Sequence, residues 1–129
     1  MVLELTDIGS RQDKKAFQNY SRAEFLSLQF MTLARKHYKE QVKLDFYADK
    51  LAVSIKYISE TVKSVTGKTA KEILGELRIS HARLLLSTSD LDVAQIAYNL
   101  SYDSPASFSK FFKQTEGVSP KEYRKSHYA

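Results

Sequence analysis

Two sets of side chains in this chain share one spacing and one kind of chemistry. Lys56, Ser59, Glu60 and Lys63 fall at i, i+3, i+4 and i+7, and Ala106, Ser109, Lys110 and Lys113 repeat the pattern. On a helix that spacing lines each set along a single face. Ammonium groups donate hydrogen bonds, a carboxylate accepts them, hydroxyls do both, and an alanine methyl offers apolar contact. These groups match the edges of base pairs: lysine can donate to guanine, Glu60 can accept from the cytosine amino group, and Ala106 can touch the thymine methyl. The DNA major groove admits one α-helix and shows a different donor and acceptor pattern for each base pair, so such a stripe is suited to reading it. A single polar stripe is an ordinary solvated face. Two stripes in the same local context call for a further explanation.

The elements that must position them are legible. Ser54 is a candidate N-cap for the helix "SIKYISETVKSVTG", which Gly67 ends, and Ser104 with Pro105 opens a second one that Gly117 ends. Ile58, Val62 and Val65 are expected on the buried side of the first, and Phe108, Phe111 and Phe112 on that of the second. Each is preceded by a short amphipathic helix, with Leu44, Tyr47, Ala48 and Leu51 in one and Val93, Ile96, Ala97 and Leu100 in the other. A helix over about 21 to 40 starts at Ser21 with Glu24 completing a capping box. Another, from about Ala70 to Ser87, is near 27 Å long at 1.5 Å per residue.

These elements form an internal duplication. Leu44, Ala48 and Leu51 match Val93, Ala97 and Leu100 at an offset of 49. After one inserted residue in the second turn the offset becomes 50, and Ile58, Val62, Lys63 and Gly67 meet Phe108, Phe112, Lys113 and Gly117. The tails "GKTAKEI" and "GVSPKEY" agree as well. Two copies are too few for a solenoid, so the unit reads as a helix-turn-helix used twice. The expected fold is all-α, about seven helices in two helix-turn-helix subdomains joined by a long connecting helix. The expected divisions are an arm or leftover linker over 1–20, a first subdomain over 21–68, the connecting helix over 69–88 and a second subdomain over 89–129. A connecting helix of that length would hold two recognition helices about one DNA turn, roughly 34 Å, apart and so in successive major grooves.

Composition removes several classes. With no cysteine among 129 residues, thiol nucleophiles, disulfides and cysteine-ligated zinc are excluded. No glycine-rich phosphate loop and no serine–histidine–acid arrangement emerges from spacing, and no metal or cofactor site is expected. His37 and His81 are read as structural. The formal net charge of +5 attracts phosphate backbones but is common in proteins that never bind them. No apolar run approaches the roughly 20 residues of a spanning helix, and a cytoplasmic location is expected. Partly positive helix N-termini make Ser54 and Ser104 candidate phosphate contacts. Tyr57, Lys121, Arg124 and Lys125 join them, while Arg78 is expected to tie the halves together through carbonyls or a carboxylate rather than to touch DNA.

From about Ser21 to Lys125 the chain resembles the DNA-binding domain of the AraC/XylS family of bacterial transcription regulators. The most specific stretch is "RISHARLLLSTSDLDVAQIAYNLSYDSPASFSKFFKQTEGVSPKEYR". The resemblance implies a sequence-specific regulator that binds double-stranded promoter or operator DNA and contacts RNA polymerase. It also implies an effector-binding or dimerisation domain ahead of this module, so that the chain would be a piece of a longer regulator; a stand-alone member is the alternative. The groove-facing positions it assigns are Lys56, Ser59, Glu60 and Lys63, then Ala106, Ser109, Lys110 and Lys113. Ser101 departs from the family pattern, which has glycine before the aromatic residue of the second turn. Should the backbone there take positive φ, serine costs about 1 kcal/mol relative to glycine. The same module occurs fused to DNA alkyl-transfer functions, but those need an acceptor cysteine, and no enzymatic activity is expected. A helical protein-interaction module is the competing reading.

Overall fold

The computed structural model describes residues 20–128. The expected arm over 1–20 lies outside the described residues except for Tyr20. Seven helices follow: α1 Arg22–His37, α2 Leu44–Leu51, α3 Ile55–Thr66, α4 Ala70–Thr88, α5 Val93–Asn99, α6 Pro105–Glu116 and α7 Pro120–His127.

Most helix starts are written into the sequence as caps. Ser21 and Glu24, Thr69 and Glu72, Asp92 and Gln95, and Ser119 and Glu122 form reciprocal capping boxes. Ser54 and Ser104 accept from the backbone N–H groups of Tyr57 and Ser107. Gly67 and Gly117 close α3 and α6 at φ of 84° and 86°, the left-handed conformation in which a side chain is penalised. Helix α1 stops at His37 rather than running to residue 40. In the turn that follows, the N–H groups of Glu40 and Gln41 both bond back to the His37 carbonyl, at 3.2 and 2.8 Å.

Both turns use the same geometry at equivalent positions. Ala52 and Ser101 have φ of 57° and 65°. The N–H of Val53 reaches the Ala48 carbonyl at 3.0 Å, and that of Tyr102 reaches the Ala97 carbonyl at 2.9 Å. Small Ala48 and Ala97 are both buried, which lets the second helix of each pair approach closely.

Apolar burial falls into two clusters. Phe30, Ala34, Tyr47, Ala48, Ile58, Val62, Ala70, Ile73 and Leu74 form the first, and Ile79, Ala82, Leu86, Ile96, Ala97, Leu100, Phe108 and Phe112 the second. Helix α4 therefore serves both, its first half packing into one cluster and its second half into the other. At 19 residues it is about 28 Å long. Fully burying each large side chain contributes about 1.5–3 kcal/mol, so α4 is held at both ends.

Val65 departs from expectation: it is 40% exposed, and Thr61, at 7%, is buried on that helix. Val65 lies in the last turn of α3 and is not among the residues of the first cluster. Tyr47 is buried and donates its hydroxyl proton to the Gln41 carbonyl at 2.7 Å. Burial pushes that phenol up to about 12, against the nearby Arg78 cation and with a further upward push from Glu40.

Candidate nucleic-acid interface

The two stripes keep to the outside of their helices. Lys56, Glu60 and Lys63 on α3 are exposed and Ser59 is half-buried; Ala106, Lys110 and Lys113 on α6 are exposed and Ser109 is half-buried. The opposite faces anchor the helices, since Ile58, Val62, Phe108 and Phe112 are fully buried. The basic groups are thus presented without weakening the packing beneath them.

The duplication extends into the surroundings of the stripes. Glu72 and Glu122, fifty positions apart, cap α4 and α7 through Thr69 and Ser119. Hydrogen bonds from the Thr69 backbone and hydroxyl lower the Glu72 pKa, and Lys63 adds to the effect; Ser119 and Lys113 do the same for Glu122. Each lysine therefore sits in the field of an equivalent carboxylate, as a repeated unit requires.

Among the candidate phosphate contacts, Ser54 and Ser104 occupy the N-caps, where their hydroxyl oxygens accept from the backbone. The hydroxyl protons remain free to donate outward. Tyr57 is 43% exposed, and Lys121 and Lys125 are exposed on α7.

Arg124 is different and corrects the expectation. Its Nε donates to the Leu86 carbonyl at 3.1 Å, and its Nη2 reaches the carbonyls of Ser89 at 3.0 Å and Leu85 at 3.4 Å. The guanidinium is turned inward onto the C-terminus of α4, whose last turn carries no basic residue of its own. The internal repeat held the signal: at an offset of 50, Arg124 stands where Leu74 stands in the first unit, and Leu74 is buried.

Arg78 also differs. Rather than a carbonyl or carboxylate, its guanidinium meets the ring of Tyr102, 5.2 Å from the centroid. Burial raises the Tyr102 phenol above its usual range, and Arg78 opposes that rise. Both residues line a cleft of about 480 Å³ between the units, which runs from Lys71 and Glu72 on α4 to Ser107 on α6. Lys71, exposed on α4 at this cleft, pairs with Lys121 at the offset of 50.

Paired helix-turn-helix units sharing one long helix define the class of protein. The helix-turn-helix domain family matches residues 47–126. YisR of Bacillus subtilis (strain 168), an uncharacterized HTH-type transcriptional regulator, is 34% identical over 112 residues, 87% of this chain and 39% of YisR. This chain thus spans well under half of that relative. The C-terminal domain of AraT, a response regulator from Geobacillus stearothermophilus, superposes with a TM-score of 0.77 at 31% identity, covering 84% of this chain and 91% of that one. The DNA-binding domain of the global transcriptional factor AdpA, solved in complex with a target DNA, gives a TM-score of 0.71 at 27% identity, covering 78% and 90%. The chain belongs to this helix-turn-helix family, as an AraC/XylS-type DNA-binding domain.

Proposed function

We propose that this chain is the sequence-specific double-stranded DNA-binding part of a bacterial transcription regulator, with α3 and α6 lying in successive major grooves. The observation that carries the reading is the duplicated stripe: Lys63 and Lys113 occupy equivalent exposed positions on helices whose opposite faces are buried. Lys56, Ser59, Glu60, Lys63, Ala106, Ser109, Lys110 and Lys113 face base edges. Ser54, Tyr57, Ser104, Lys121 and Lys125 meet phosphates. The functional divisions are a first unit over 21–68, the connecting helix over 69–88 and a second unit from 89 onward. The protein acts by binding rather than catalysis, in the cytoplasm, with RNA polymerase as a further partner and an effector-binding or dimerisation domain elsewhere in the regulator.

Selection of bound duplexes from a random pool, using this chain, tests the reading directly. A recovered sequence with two half-sites about ten base pairs apart is expected. On that duplex affinity falls steeply with salt, and Lys63→Ala or Lys113→Ala each lowers the slope of log K against log salt by about one. Unchanged affinity in both variants would move the case to a protein-interaction module.

A further inference from the structure

The two units touch through side chains at which the internal repeat breaks down. Ser101 Oγ donates to the Lys39 carbonyl at 2.7 Å, joining the turn of the second unit to the end of α1. The Arg78 guanidinium stands over the Tyr102 ring, with its Nε and Nη1 buried and without a hydrogen-bond partner among the described residues. Phe111 closes on α4 at Gly75, where a Cβ would lie 2.9 Å from Phe111 Cζ and 3.2 Å from Cε2. In the other copy the equivalents of Ser101, Phe111 and Gly75 are Ala52, Thr61 and Lys125. An alanine at position 101 would make no such hydrogen bond. A threonine at position 111 would not reach α4, and a lysine at position 75 would occupy the space the Phe111 ring fills. The caps recur between copies, as do Ser59 and Lys63 of the stripe in Ser109 and Lys113, whereas these contact positions do not.

Ser101 is the most informative of them. Its φ of 65° is a conformation that glycine adopts without penalty and serine does not. Ala52 takes the same conformation in the first unit, at φ 57°, so the turn itself tolerates a side chain. The hydroxyl bond across the units is what a serine adds.

We propose that Ser101, Arg78 and Gly75 are positioning residues that clasp the two helix-turn-helix units and set the separation and phase at which α3 and α6 meet DNA. The consequence for half-site spacing rests on the DNA-binding reading above; the clasp itself does not. Two rigidly phased helices gain from simultaneous engagement only where the half-sites match their geometry. A slack clasp therefore relaxes the preference for spacing while leaving each helix's own base contacts in place.

The chain has no cysteine, so Ser64→Cys and Gln114→Cys, at equivalent exposed positions, give two unique sites for nitroxide labels on α3 and α6. Pulsed electron paramagnetic resonance without DNA is expected to give one narrow distance distribution in the otherwise unchanged chain. Broadened or shifted distributions are expected with Ser101→Gly, Arg78→Met and Gly75→Leu. Ser101→Gly is the decisive variant, because it relieves the backbone while removing the hydroxyl, and a merely local role predicts an unaltered distance. Distributions unchanged in all three variants overturn the clasp, whatever the chain does with DNA.

The second measurement uses the duplex recovered by random-pool selection, with one or two base pairs added between half-sites. The parent is expected to lose affinity about tenfold or more on the altered spacings, and Ser101→Gly to narrow that difference. Both should bind a single half-site equally. A spacing preference identical in parent and variants overturns the role in DNA reading even if the distances change. Failure of the parent to select any duplex defeats the DNA-binding reading, while the resonance distances still decide the clasp.

Discussion

Replacing Arg124 separates a structural cation from a DNA-binding one. In Arg124→Met two well-formed hydrogen bonds disappear, to Leu86 at 3.1 Å and Ser89 at 3.0 Å, with a third to Leu85 at the long limit of 3.4 Å. A hydrogen bond from a charged donor contributes about 1.5–3 kcal/mol when its partner is left dry. The carbonyls lie at a helix end that water can re-enter, so about 1 kcal/mol for each good bond is the appropriate scale. The α4 C-terminus has no basic residue in its last turn, and loss of the cation adds about 0.3–1 kcal/mol through the helix dipole. The total is about 2–3 kcal/mol. For a domain of this size, at about 4 °C per kcal/mol, the melting temperature should fall by roughly 8–12 °C. Arg124→Lys keeps the charge but loses the planar fork, and should recover only part of this. Thermal melts paired with salt titrations of DNA affinity make the comparison. An unchanged melt together with a salt slope reduced by about one would show that Arg124 binds phosphate and that the inward geometry is wrong.

Two further outcomes follow from the packing. Phe112 is fully buried in the second cluster, against Phe108 and Tyr123, so Phe112→Ala should cost about 3–5 kcal/mol in denaturant melts; a loss under 1 kcal/mol would place the ring outside the core. The neutral His81 ring shares a hydrogen bond with the Tyr38 hydroxyl through Nδ1, at 2.9 Å. Burial first, and Lys39 second, hold its pKa below the usual histidine value. Because the folded value is the lower one, the stabilisation is complete above the unfolded value of about 6.5 and is lost as pH falls through the folded value. Melts of the parent should therefore fall more steeply below about pH 6.5 than those of His81→Gln, and parallel curves would refute the assignment.

What the sequence makes legible is whatever depends on near neighbours in the chain. Ser54, Ser104, Gly67 and Gly117 announce their helix ends because a cap acts over three or four residues. The duplication was legible because both copies keep the same small, apolar and basic positions. Contacts across long separations were not. Nothing local says that Arg124 turns back onto carbonyls 35 to 39 positions earlier, or that Phe111 needs a bare backbone at Gly75. Spacing puts Val65 on the buried face, yet it is exposed in the last turn of α3, because periodicity gives a face and not how far along it packing extends. The stripes could be laid along helix faces from spacing alone, whereas the fit of one unit against the other depended on side-chain lengths.

Helix α4 carries Leu74 for one cluster and Ile79 for the next with no loop between them. It therefore behaves as a ruler graduated in turns. One residue inserted between those two leucine and isoleucine anchors would swing everything downstream through about 100° while lengthening the rod by only about 1.5 Å. Small changes in reach are thus inaccessible by simple insertion, and descendants of such a scaffold can alter the interval they measure only by near-whole turns or by reworking the seam beside it.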